Sequence, residues 1–135
     1  MTEHTFWQSL RKMLVPRVYA LKLNLRFIAG IPDVWLSGME QDLWLELKYI
    51  PRLPPVVDPT KLLTILQMEW LKRRYAEGRY VGVLIGSSDG HLFFPGLSWQ
   101  TSMSRGKWIQ SGMKTRAIAE HLIELLGEVA PGAAL

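Results

Sequence analysis

"GIPDVWLSGMEQDLWLELKYI", residues 30–50, holds two apolar runs on either side of Gly38-Met39-Glu40-Gln41. Val, Trp and Leu favour a pleated, half-buried surface, and a short polar spacer with glycine is turn chemistry. The stretch therefore reads as a β-hairpin with strands over 31–37 and 42–49. With the turn centred between Met39 and Glu40, Asp33 falls opposite Glu46, and directly opposed residues have Cβ atoms ~5 Å apart. Lys48 lies two residues beyond Glu46 and shares its face, while Leu45 and Leu47 point the other way, into the core. Asp33, Glu46 and Lys48 thus converge on one small patch. A slip of one residue would separate them.

Two carboxylates this close repel each other unless a cation lies between them or one takes up a proton. Hard oxygen ligands with open positions suit Mg²⁺, with Mn²⁺ as the expected substitute; Mg²⁺ keeps several waters and commonly bridges to substrate phosphate. A nearby lysine can stabilise negative charge developing on phosphorus or orient the attacking water. Two acids and a lysine around Mg²⁺ suit metal-assisted phosphodiester hydrolysis. The plainer alternative is a surface ion pair of Lys48 with Asp33 or Glu46, worth little to stability.

Outward from the hairpin, Thr2 can cap a helix whose Glu3, Trp7, Leu10 and Leu14 recur at helical spacing until Pro16. Residues 19–27 alternate, with Tyr19, Leu21, Leu23, Leu25 and Phe27 on one face, which predicts a half-buried strand. Pro51 to Pro59 holds four prolines in nine residues and so predicts an extended loop. Thr64-x-x-Gln67 matches a capping box, with Leu63 and Met68 placed as its hydrophobic staple, for a helix ended by Gly78. A nearly all-apolar strand over 80–85 suits a sheet interior, and 91–94 follows it as another strand. Residues 95–112, with Trp99 and Trp108, show no clear periodicity. Thr115 can cap a last helix, which Gly127 closes. This predicts a single domain over 1–127 with a disordered tail over 128–135. The class is α/β: a mixed sheet flanked by helices, in the order α-β-β-β-α-β for its core.

The 135 residues fit one core, and mean hydropathy is near zero. The absence of cysteine excludes disulfides and thiolate-metal sites, and His4, His91 and His121 are too isolated to suggest zinc. No apolar run reaches the ~18 residues of a membrane span, so a cytoplasmic protein without membrane partners is the expectation. Net charge is +4, with basic residues gathered at Arg11, Lys12 and Arg17, at Lys72, Arg73, Arg74 and Arg79, and at Arg105, Lys107, Lys114 and Arg116. Such clusters suit a polyanion, by counterion release, or simply a solvated basic surface.

Gly30-Ile31-Pro32-Asp33, Glu46-Leu47-Lys48 and Thr64-Ile65-Leu66-Gln67 follow one another on strand, strand and helix. In this order they resemble the PD-(D/E)xK nuclease superfamily, and within it the VRR-NUC-type and phage Holliday-junction-resolvase-like endonucleases. The resemblance covers residues ~3 to 94 and implies a restriction-endonuclease-like core. It implies that Asp33 and Glu46 hold the metal, that the carbonyl of Leu47 adds a ligand, and that Lys48 serves the water or the transition state. Gln67 would orient groups at the site, although an N3 glutamine also completes a capping box. Related folds supply a first-helix glutamate to the metal, which makes Glu3 a candidate, although the helix dipole favours glutamate there anyway.

These readings imply a Mg²⁺-dependent endodeoxyribonuclease acting on branched or structured DNA, in a bacterial or phage-infected cell. Lys72, Arg73, Arg74, Arg105 and Lys107 are the expected DNA contacts. A homodimer would match the two equivalent strands of a branch, with Trp99 or Trp108 at its interface, stacked on bases, or in the core. The alternatives are a non-catalytic nucleic-acid-binding protein with a nuclease fold, or a nuclease acting on RNA or single strands.

Overall fold

The computed structural model describes residues 1–23 and 28–130. Helix α1 (Glu3–Leu14) is followed by strands β1 (Tyr19–Lys22), β2 (Val34–Ser37), β3 (Asp42–Ile50) and β4 (Val56–Val57). Helix α2 (Ile65–Ala76), strands β5 (Val81–Ser87), β6 (Leu92–Pro95) and β7 (Met103–Ser104), and helices α3 (Arg105–Ser111) and α4 (Thr115–Leu126) complete the described chain. The main sheet runs β1-β2-β3-β5-β6, antiparallel throughout except for the parallel β3–β5 pair, which α2 connects; β4 and β7 form a separate two-stranded sheet.

The hairpin register is the one expected from its turn: Val34 pairs with Leu45 and Ser37 with Asp42. Leu43, Leu45 and Leu47 of β3 are fully buried against Phe6, Leu10 and Leu14 of α1 and Leu122 and Leu126 of α4. Truncating one such leucine to alanine costs about 2–5 kcal/mol. The opposite face of the sheet packs Val81, Val83 and Ile85 of β5 against Leu71 of α2, Trp99 and Trp108. Glu46 and Lys48 alternate with the leucines of β3 and therefore lie on this α2 side.

Helix ends follow local chemistry. Thr2 caps α1 and Thr64 caps α2, each with a reciprocal capping box, while Gly78 (φ +83°) and Gly127 (φ +84°) follow the last residues of α2 and α4. The carbonyls ending α4 are satisfied by the hairpin turn, where Met39 N–H donates to Gly127 O (2.8 Å) and Glu40 N–H to Leu126 O (2.9 Å). A Cβ on Gly38 would stand 2.3 Å from both of these carbonyl oxygens, so only glycine lets the turn approach this closely.

Several expectations are corrected. Residues 31–33 precede β2 and are not strand. In β1 it is Ala20, opposite Leu36, that packs on the core, while Leu21 is 53% exposed. β1 is an edge strand, and the pleat of β2 sets which of its residues face inward; its expected continuation over 24–27 lies outside the described residues. The proline-rich segment adds β4 and a 3₁₀ turn over Pro59–Lys61. Residues 95–112 become a 3₁₀ turn, β7 and α3, anchored by the fully buried Trp99 and Trp108. Both tryptophans fill the core and are closed to bases or a partner. Lys114, not Thr115, is the N-cap of α4. Of the tail expected to be loose from residue 128, Glu128 pairs with Arg17 (2.8 Å) and Val129 is buried; 131–135 lie outside the described residues.

Candidate metal and phosphodiester site

The patch forms where the N-terminus of α2 crosses β3. Gly30 makes the crossing close: its φ is +88°, and a Cβ there would stand 2.6 Å from the carbonyl oxygen of Leu66. Any side chain would push the turn carrying Asp33 away from the helix carrying Gln67. Asp33 sits directly before β2 on the Glu46 face, and its Oδ2 accepts a hydrogen bond from the Leu47 N–H at 3.3 Å.

Glu46 is 1% exposed. Its Oε1 accepts from Gln67 Nε2 at 2.9 Å and lies 3.6 Å from Lys48 Nζ. Its Oε2 is buried with no hydrogen-bond partner. Burial first, and then the neighbouring Asp33 carboxylate, push the Glu46 carboxyl up to about 9 against the pull of Lys48. Gln67 makes both a capping and a cross-element contact. Its Oε1 accepts from Thr64 N–H (2.9 Å) to close the capping box, and its amide nitrogen reaches the carboxylate.

Glu3, at the start of α1, lies at the rim. Partial burial raises its pKa, helped by Asp33 and opposed by Lys48 and Lys22, so all four charges share one field. Among the described residues no three His, Cys, Asp or Glu side chains are close enough together to hold a metal ion. The carboxyl groups that meet here are the pair Asp33 and Glu46. That pair fits a hard cation such as Mg²⁺, which is often held by one or two carboxylates with waters and phosphate completing its shell. The partnerless Glu46 Oε2 is an oxygen in need of a proton or a cation.

The basic residues separate into free and committed groups. Lys72 and Arg73 are exposed on α2, whereas Arg74 pairs with Glu77 (3.1 Å) and its guanidinium lies 5.9 Å from the Trp70 ring centre. On α3, Lys107 is exposed, but Arg105 Nε donates to the Leu53 carbonyl (3.0 Å) and ties the helix to the proline-rich segment. Lys22, on the edge strand opposite Val34, adds its charge to the field at Glu3.

No family model matches the chain, and no curated protein sequence does. Among solved structures, the chain is similar to Hjc of Archaeoglobus fulgidus, a Holliday junction resolvase from an archaeal hyperthermophile, with a TM-score of 0.55. The match covers 87% of this chain and 96% of that one, at 17% identity. The fold is restriction-endonuclease-like. At this identity the likeness speaks for the fold: a mixed five-stranded sheet between helices, with the Asp33–Glu46–Lys48 patch on its α2 side. Among the described residues no helix is long and apolar enough to cross a membrane.

Proposed function

We propose that this protein is a divalent-metal-dependent endonuclease that hydrolyses DNA phosphodiester bonds, with branched DNA such as a four-way junction as its preferred substrate. The observation that carries this reading is the buried, partnerless Oε2 of Glu46 beside the Asp33 carboxylate, with Lys48 on the same patch. An apolar or hydrogen-bonded core residue would fill that position at lower cost. The fold shared with a Holliday junction resolvase supports the same reading.

Asp33 and Glu46 would hold Mg²⁺ or Mn²⁺, with the Leu47 carbonyl as a further oxygen. The bound ion supplies Lewis acidity toward the scissile phosphate and toward water. The chain's own groups do the rest. The Leu47 N–H fixes Asp33, and Gln67 fixes Glu46 from the capped end of α2, so the two carboxyl groups are preorganised before substrate arrives. The Lys48 ammonium, on a partly exposed side chain, is placed to donate to a phosphate oxygen or to the attacking water. Lys72 and Arg73 extend along α2 toward the flanking phosphates, and a two-fold dimer would present two such sites to the two strands of a branch.

The test is a cleavage panel of four-way junction, flap, nicked, duplex and single-stranded DNA, with the corresponding RNAs, in Mg²⁺ and in EDTA. Cleavage of branched DNA that EDTA abolishes is the expected result. Binding without cleavage of any substrate would leave a nucleic-acid-binding protein with a nuclease fold.

A further inference from the structure

Beside the patch, the turn at Ala29 and the exposed side of α2 enclose a groove of about 390 Å³, lined by Ala29, Leu66, Trp70 and Arg73 with Glu69 and the Arg74–Glu77 pair at its edges. Its volume is in the range of small-ligand sites. Leu66 and Trp70 stand one helical turn apart on the same side of α2, and Trp70 lies half-buried with its ring edge-on to Trp44 (5.8 Å). Leu66, on the groove wall, is 51% exposed. Arg73, on the groove wall, has no ion-pair partner among the described residues, and Lys72 follows Leu71 beside it on the exposed face.

Resting on the nuclease reading, we propose that this groove receives an unpaired nucleobase of the DNA strand that passes the Asp33–Glu46 site. The substrate class is then DNA with unpaired nucleotides directly beside the cleaved phosphate, rather than continuous duplex. Three features carry it. Leu66 adjoins Gln67, whose amide reaches Glu46, so a base in the groove belongs to a nucleotide next to the one at the carboxylates. The lining combines a tryptophan and an aliphatic side chain, which offer a surface for a flat ring, with a free guanidinium for the phosphate of the same nucleotide; aromatic platforms interleaved with cations are the general means of holding single strands. A base inside a continuous duplex has its faces covered by its neighbours, so only unpaired nucleotides can use the groove.

Binding in EDTA tests this without reference to cleavage, so failure here leaves the nuclease reading standing, and failure of the cleavage panel leaves this result standing. Fluorescence anisotropy would compare a continuous duplex, the same duplex with a three-nucleotide unpaired segment, and a single strand. The wild-type protein should bind the interrupted duplex about tenfold more tightly than the continuous one, the scale of one stacked base. Leu66→Ser, a surface change, and Trp70→Leu, checked for folding by circular dichroism, should each reduce that ratio to within about twofold while the continuous duplex binds as before. An equal affinity of the wild type for both duplexes would overturn the proposal, as would a preference that survives Leu66→Ser. Sedimentation velocity on Leu66→Ser gives the third refutation: a shift from dimer to monomer would make the patch an interface between copies of this chain.

Discussion

Replacing Glu46 with glutamine should stabilise the metal-free protein, and by an amount that grows with pH. In the unfolded chain the Glu46 carboxyl ionises near its ordinary value of 4.5; in the fold it holds its proton to about 9. Below pH 4.5 both states are protonated and the residue has no pH-linked effect. As pH rises through this window the unfolded state releases the proton and the folded state does not, so stability is lost at up to ~1.4 kcal/mol per pH unit. At pH 7 the accumulated loss is about 3 kcal/mol, on the order of 10 °C in Tm for a domain of this size. Glutamine keeps the oxygen that accepts from Gln67 and presents an N–H₂ to Asp33 where the wild type needs a proton, so it escapes the loss. Thermal melts of wild type and Glu46→Gln in EDTA, from pH 4.5 to 9, should begin together and separate steadily, the variant melting higher. Mg²⁺ should raise the wild-type Tm and leave the variant nearly unmoved. A gap independent of pH, or a variant less stable than wild type at pH 8, would show that Glu46 is ionised in the metal-free fold and that burial is not the dominant effect on it.

Asp33→Asn should abolish the Mg²⁺- or Mn²⁺-dependent rise in Tm with the circular dichroism unchanged; a persisting shift would remove Asp33 from the metal site. Lys48→Ala should keep DNA affinity within a few-fold while lowering cleavage at saturating DNA by at least ~100-fold, the scale of losing one positioned donor; equal losses in both would make it a phosphate contact. Neutralising Lys72 and Arg73 together should make the salt dependence of duplex binding shallower by up to ~2 in log-log slope, because Arg74 is already paired with Glu77; an unchanged slope would mark the pair as a solvated face. His91 Nδ1 accepts from the Ser87 N–H (3.2 Å), so its other nitrogen carries the hydrogen shared with Thr115 Oγ1 (2.9 Å), and burial lowers the ring's pKa. The unfolded state then takes up a proton first as pH falls below about 6.5, and stability drops with it. An NMR titration of the His91 ring with its midpoint at or above 6.5 would contradict this.

How much of the site was legible in residues 30–50 follows from the range of the forces involved. The approach of Asp33 to Glu46, with Lys48 two residues on, comes from a turn position and a period of two, both settled within a few residues, although the ladder itself stops at Val34 and Leu45. The caps at Thr2 and Thr64 and the stops at Gly78 and Gly127 are equally local, each a side-chain hydrogen bond or a positive φ within one turn of the helix end. The alternation of Leu43, Leu45 and Leu47 with Glu46 and Lys48 likewise separates a core face from a site face without any tertiary knowledge.

Other features depend on what packs against these elements from far along the chain. Residues 95–112 lack periodicity because they are held by two single anchors, Trp99 and Trp108, that enter a core made by β5 and α2. Leu21 and Ala20 exchange their expected roles because the sheet's inner face is defined by β2, not by the hydrophobicity of β1. The amide of Gln67 and the carboxylate of Glu46 are 21 residues apart, and only the closeness permitted at Gly30 lets one side chain serve both the helix cap and the site. Above all, the chain shows that two carboxylates meet but not that Glu46 is shut away from water. A charge's cost is set by the solvent that tertiary packing removes, and no spacing of residues records that.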